Sequence, residues 1–204
     1  YVGLPFSLSA VMKSNVSNIN VGSAAFIESG KELEVAANSK LKVKLNAETG
    51  DLYNEQNVKV TATLAFAKWK NSATVDIYGK LKSGGDMTLK ANADTDAAAV
   101  SKAATRKANV VKENGELGLE DYDAPDKFIG LGALWGDSLA AVRIHRVENS
   151  GIENINLIES GGAFKADANL KSKISLDVTA TSSSKPQTTD EAKMSTAIGL
   201  VMDD

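Results

Sequence analysis

The chain contains no cysteine, which excludes disulfides, thiolate metal sites and cysteine nucleophiles. It does not exclude an extracellular life, because large secreted repeat proteins fold without disulfides. Proline occurs only three times, and aromatic residues make up 5% of the 204 positions. The apolar content therefore comes from Ala, Val, Leu and Ile, which suits thin, regularly stacked cores. An excess of one charge is also missing, since 23 basic residues are scattered among 26 acidic ones. That distribution draws no basic patch, so no nucleic-acid partner is expected. No apolar run approaches the ~20 residues of a membrane-spanning helix, and no membrane insertion of this segment is expected. The opening "YVGLPFSLSAVMKS" has no basic stretch leading into an apolar one, and does not read as an intact signal peptide.

What is present is repetition. One motif occurs three times, as "IESGKELEVAAN" at 27–38, "LKSGGDMTLKAN" at 81–92 and "IESGGAFKADAN" at 158–169. The copies align on Ser29, Ser83 and Ser160. Ile27, Leu81 and Ile158 stand two residues before the serine, and Gly30, Gly84 and Gly161 follow it. Leu33, Met87 and Phe164 come next, then Val35, Leu89 and Ala166, and every copy closes on Ala-Asn at Asn38, Asn92 and Asn169. Apolar residues at every second position are the pattern of a half-buried strand. The glycines, with Gly85 and Gly162 beside them in two copies, are expected to turn the backbone through positive φ. The asparagines are expected at a second corner, where they can tolerate the left-handed region and hydrogen-bond their neighbours in a stack.

The segment upstream repeats too. "LAFAKWKNSATVDIYG" (64–79) aligns with "LGALWGDSLAAVRIH" (131–145) when Val75 and Ile77 are set against Val142 and Ile144. In "LSAVMKSNVSNINVG" (8–22), Ile19 and Val21 take those places, and "STAIGLVMDD" (195–204) reads as a fourth copy of "ATLAFAKWKN". The chain is thus expected to be a piece of a longer protein, about three repeats and the start of a fourth across 1–204. Each repeat is expected to run from a long small-residue strand through a polar corner (Lys70-Asn71, Asp137-Ser138) to a short strand. The glycine corner and its strand come next, then a polar excursion. The excursions differ most: 46–57, a long one over 94–127, and 181–193. Within the second, "DAAAVSKAATRKANVV" is compatible with a short helix after Asp96 or with an Ala-rich strand arm. Serine-to-serine spacings of 54 and 77 residues are long for one slender turn. One turn with long arms is favoured, "KLKVKLNAE" and "NVKVTATLAFAKW" pairing as strands that flank a loop.

"YGKLKSGGDMTLKANAD" (78–94) resembles the repeat regions of large bacterial filamentous adhesins, the haemagglutinin-like and leukotoxin-type exoproteins of two-partner secretion. Those repeats pair a strand with a "G-x-[IL]-x-[AS]-G-G-D-[LVM]-x-[LI]-x-A" corner. "NLIESGGAFKADAN" fits with Ala163 in place of the Asp, whereas "FIESGKELEVAAN" departs further, with Lys31 at the second glycine. The resemblance covers the scaffold and not the excursions. It implies a rod-like, right-handed parallel β-helix at the bacterial cell surface, a general role in adhesion, and no catalytic residues.

Candidate chemistry is sparse. His145 is the only histidine, and no partners are spaced to complete a triad or a metal site around it, so it reads as an ordinary strand-end residue. "LEDYDAPD" gathers Glu120, Asp121, Asp123 and Asp126, oxygen ligands that make a candidate Ca²⁺ site. The EF-hand glycine and terminal glutamate are missing, and a solvated acidic loop is preferred. Paired carboxylates for polysaccharide cleavage need two acids at fixed separation, but Asp and Glu here mostly alternate with apolar positions and face solvent. Trp69 and Trp135 are out of phase by one residue in their repeats, so one can face inward and the other be exposed to stack on a sugar, with core or strand-end packing the preferred reading. The "SGGD" glycines lead into a strand and not a helix, so they build no phosphate loop.

The sequence thus specifies an all-β chain, a right-handed parallel β-helix or β-solenoid with long loop or strand excursions. It is expected to be a non-catalytic structural and adhesive segment of a secreted surface filament, without cofactor. Its expected partners are flanking repeats and a host or bacterial surface glycan or protein receptor. The alternative is a polysaccharide-acting β-helix enzyme or tailspike-like depolymerase.

Overall fold

The computed structural model describes residues 6–49, 60–104, 108–111, 117–120, 127–145, 157–181 and 194–203. These residues form strands and no helix. In chain order the strands are β1 (Phe6–Val21), β2 (Phe26–Ser29), β3 (Leu33–Glu48), β4 (Val60–Ile77), β5 (Lys80–Ser83) and β6 (Met87–Ala104). They continue with β7 (Ala108–Val111), β8 (Leu117–Glu120), β9 (Lys127–Ile144), β10 (Ile158–Ser160), β11 (Phe164–Thr181) and β12 (Met194–Asp203). Three sheets stack in parallel, the first ordered β1-β4-β9-β12, the second β2-β5-β10 and the third β3-β6-β11, while β7 and β8 pair antiparallel by themselves.

Each sequence repeat thus adds one strand to each sheet, and the register between rungs follows the sequence alignment residue by residue. Ile27 lies on Leu81 and Leu81 on Ile158; Leu33 lies on Met87 and Met87 on Phe164. In the first sheet Ile19 lies on Val75 and Val75 on Val142, and β12 adds a fourth strand beside β9. One repeat is therefore one rung, β-helix-like, with parallel sheets built rung upon rung. The longer second spacing is absorbed between β6 and β9 and between β9 and β10, outside the three sheets.

The interior divides into two lobes. In the first, which includes the short second sheet, Val75, Ile77, Leu81, Met87 and Leu89 pack together at 0% exposure. The second lies between the far ends of the first and third sheets and is filled by Leu41, Val43, Trp69, Leu134 and many alanines. Small inward residues set that lobe's thinness. A Cβ on Gly132 would run into the side chains of Val178 and Leu176, and one on Gly136 into the Trp69 indole.

Between the lobes runs a polar waist. Asn71 of β4 points inward, fully buried, and its Nδ2 donates to the Asp94 carbonyl at 2.9 Å and the Thr95 hydroxyl at 2.8 Å. Its Oδ1 accepts from Ser39 Oγ at 2.5 Å. Ser138 meets Thr95 at 3.1 Å in the rung beyond, and Asn15 Nδ2 donates to the Lys40 carbonyl at 2.9 Å in the rung before. Three successive strands of the first sheet thus reach the third sheet at mid-strand, Asn15 and Asn71 within their own rungs and Ser138 to the rung before.

Several expectations change. Lys70-Asn71 and Asp137-Ser138 make no corner, because β4 and β9 run through them unbroken. The buried hydrogen bonds of Asn71 and Ser138 take the place of a turn. "KLKVKLNAE" and "TATLAFAKW" face each other across the thin lobe but belong to different sheets, so they do not pair by hydrogen bonds. Of the two readings of 94–104, the Ala-rich strand holds and the helix does not, and the strand belongs to the third sheet and not to an excursion. Thr95, Ala97, Ala99, Ser101 and Ala103 point inward in strict alternation, and burial in a space sized for small residues overrides alanine's helical preference.

The glycine corner is real, but its cause differs from the expected one. None of the five glycines adopts the left-handed region. A Cβ on Gly84 would be driven into the carbonyl oxygen of Gly30, and a Cβ on Gly161 into that of Gly84. Close approach of stacked backbones, not positive φ, selects glycine there. The asparagines are not at a corner at all: Asn38, Asn92 and Asn169 lie inside the continuous strands β3, β6 and β11.

Candidate functional site

With alternate residues of β3, β6 and β11 pointing inward, Asn38, Asn92 and Asn169 stand on the outer face in one column. Asn92 Nδ2 donates to Asn38 Oδ1 at 2.6 Å, and Asn169 Nδ2 donates to Asn92 Oδ1 at 3.0 Å. The stacking expected of these asparagines therefore occurs, within the strands. Next to the ladder, Lys40, Asp94 and Lys171 share a register position, and Lys40 Nζ lies 3.8 Å from Asp94 Oδ2. The two columns line a groove of about 540 Å³ along the stack, beside the position of the waist residue Ser39. It offers amide donors and acceptors beside alternating charges, suited to hydrogen bonding with a polar chain laid along it.

Several carboxylates elsewhere on the described surface are matched to cations in adjacent rungs. Lys82 Nζ lies 2.7 Å from Glu28 and Lys80 Nζ 2.6 Å from Glu159, and Lys42 faces Asp96 at 3.7 Å. The bond from Lys80 holds the Glu159 carboxyl below its ordinary range. This interleaving sets acids beside lysines, Asp94 and Asp96 each facing a lysine of the preceding rung.

The glycine corner offers no anion site. The Gly84 and Gly85 N–H groups donate to the Ser29 and Lys31 carbonyls at 2.8 Å, and those of Gly161 and Gly162 bind the next rung in the same way. Ser83 Oγ donates to the Gly85 carbonyl at 2.8 Å, and Asp86 Oδ1 accepts the Ala163 N–H at 2.8 Å. The motif's polar groups are thus used in stacking.

His145 closes β9 by bonding to the rung below. Its N–H donates to the Ile77 carbonyl at 2.8 Å, its ring stacks on Tyr78 at 4.0 Å, and Nε2 lies 3.0 Å from Asp76 Oδ1. Asp76 can only accept, so Nε2 carries the hydrogen. That bond first, and Arg143 at 3.5 Å second, hold the Asp76 carboxyl below its ordinary range against partial burial.

The two tryptophans separate as their phase predicts. Register sets Lys68 beside Trp135 and Trp69 beside Gly136. Trp69 is 2% exposed and cannot stack on a ligand, which removes it as a candidate. Trp135 is 45% exposed, with the Lys68 ammonium 5.1 Å from its ring centroid. Of the calcium candidates, Asp121, Asp123 and Asp126 lie outside the described residues, and Glu120 is described only as backbone of β8. Among the described residues no cluster of three His, Asp or Glu could hold a metal ion.

Two features escaped sequence reasoning. The waist was signalled by Asn15, Asn71 and Ser138 at one repeat position, of which Asn71 and Ser138 read as corner residues. The outer apolar face around Trp135 was signalled by "TLAFA" and "GALW", apolar at both parities. Compared with protein-family models, curated proteins and solved structures, the chain matches none.

Proposed function

We propose that the chain is a structural and adhesive segment of a secreted bacterial surface filament, built as a right-handed parallel β-solenoid and not as an enzyme. The observation that carries this reading is the residue-by-residue stacking of sequence repeats into one rung each. Such a unit extends by adding rungs, and stability accrues through nearest-neighbour contacts. The motif residues are spent on that stacking, as glycine contacts, serine hydroxyls and an asparagine ladder. What varies between repeats lies between the strands, where a filament would present binding loops to a surface glycan or protein receptor. The cross-rung pairing of acids with lysines is in keeping with a non-catalytic surface.

The test is a glycan array probed with the intact chain, followed by a turnover assay on every glycan bound. Binding without cleavage is the expected result. Release of shortened oligosaccharides would overturn the reading in favour of a β-helix depolymerase.

A further inference from the structure

Over the first halves of its long strands, the first sheet carries an apolar outer face over an inner face of small residues, among them the hydroxyls Ser7, Ser9, Thr61 and Thr63. Inward positions hold small residues such as Ala65, Ala67 and Gly132. The outward positions between them are apolar but for Thr196 and Lys68: Leu8, Leu64, Leu131 and Ile198 form one column across four strands. Each strand offers four such outward positions, and among all of them Lys68 alone is charged, its ammonium resting over the Trp135 ring. The Lys70–Asp137 ion pair, 3.8 Å, bounds the patch on one side. The third sheet is different: its outer columns alternate lysine with aspartate.

Parallel strands with an apolar outer face belong to sheets covered on both sides. Contiguous apolar patches beyond a few hundred Å² mark contact surfaces. At ~4.8 Å between strands and ~3.3 Å per residue, this patch occupies about 450 Å² of flat sheet. Phe6, Leu8, Met12, Trp135, Ile198 and Leu200 on it are between 45% and 76% exposed. Their accessible area together is on the order of 800 Å², the share each partner buries in a stable complex.

We propose that this face packs against the same face of a second copy of the chain, sheet on sheet at ~10 Å. The patch is nearly free of charge, so it is complementary to itself without needing an opposite field. A two-fold axis along the stack direction lets each further rung lengthen the contact by ~110 Å², so that two stacks adhere side by side along their length. The inference stands on the sheet's two faces and does not depend on whether the chain also binds glycans.

Sedimentation of the full 204-residue chain is expected to show a dimer at about 100 µM. Trp135→Ser and Leu131→Glu should each weaken dimerisation at least tenfold, with the circular dichroism spectrum and melting temperature of Trp135→Ser unchanged. If Leu131→Glu does not fold, Trp135→Ser carries the test, because its side chain stands clear of the core. Absence of native cysteine allows single spin labels: Ala133→Cys should give a short, defined inter-label distance, and Ser175→Cys on the third sheet a long one or none. A wild-type monomer at that concentration overturns the proposal, as does a dimer in which Ser175→Cys gives the short distance. A monomer that floats with phosphatidylcholine vesicles through this face assigns it to lipid and overturns the proposal equally.

Discussion

Gly30 and Gly84 occupy the same place in consecutive repeats, yet a side chain would meet different surroundings at each. A Cβ on Gly30 has nothing within 4 Å, whereas on Gly84 it strikes the Gly30 carbonyl. Gly84→Ala is therefore expected to lose ~1–3 kcal/mol in urea unfolding, because neither backbone can give way without breaking Gly84 N–H···O Ser29. Gly30→Ala should be neutral or slightly stabilising, by up to ~1 kcal/mol, through the unfolded chain. Equal losses at the two sites would refute close approach as the reason for the glycine column. At Asp76 the prediction concerns pH. A depressed carboxyl pKa contributes stability that is complete above the ordinary carboxylate range near ~4 and is lost as pH falls through the depressed value. Asp76→Asn should lower the urea midpoint at neutral pH and flatten its decline in acid. A decline as steep as that of the wild type would show that Asp76 does not drive it.

At the scale of the strand, the waist is where one residue ties two sheets. Asn71→Ala leaves the buried Ser39 and Thr95 hydroxyls without their amide partner and opens a gap, for an expected cost of ~2–4 kcal/mol. Acrylamide should quench Trp135 but not Trp69 in the folded chain, and Asn71→Ala should make Trp69, two residues from the waist, quenchable at lower urea than the wild type. The same strands show what a sequence can tell. Period-two alternation and copy-to-copy alignment carry the strands, their register and the one-residue offset of the tryptophans, because each depends only on which residues face inward. The waist was illegible because a polar residue at a turn and one buried among partners look alike in one dimension. Residues 95–103 misled for a related reason: helix propensity is local, while the thin lobe that demands Ala and Ser comes from a facing sheet. The asparagine ladder was half legible, its stacking foreseen and its backbone setting not. The groove beside it depends on how columns of successive rungs stack in three dimensions, which no single repeat displays.

For the whole molecule, the middle rung is stacked on both sides and the flanking ones are less enclosed. Leu81, Met87 and Leu89 are fully buried, while Ile27 and Phe164 in the same columns are 37% and 44% exposed. Amide hydrogen exchange should accordingly be slowest in β4 and β6 and faster in β1, β3 and β11, as expected when stability sums over neighbouring units. Protection that is uniform across the rungs would contradict that summation. The cross-rung ion pairs are exposed, Lys40 at 80% among them, and so add little. Raising salt to 0.5 M should shift the melting temperature only slightly.

A section with two packed lobes and a tie between them behaves differently under load from one with a single lobe. Two broad walls joined only at their rims buckle toward or away from each other when the rod is bent. Asn71 and its counterparts in adjacent rungs join them at mid-span, like the web between the flanges of a girder. Hydrogen bonds only about 3 Å long fix the wall spacing there. Stiffness against flattening is thus set by a single file of amides and hydroxyls, one rung deep at each step.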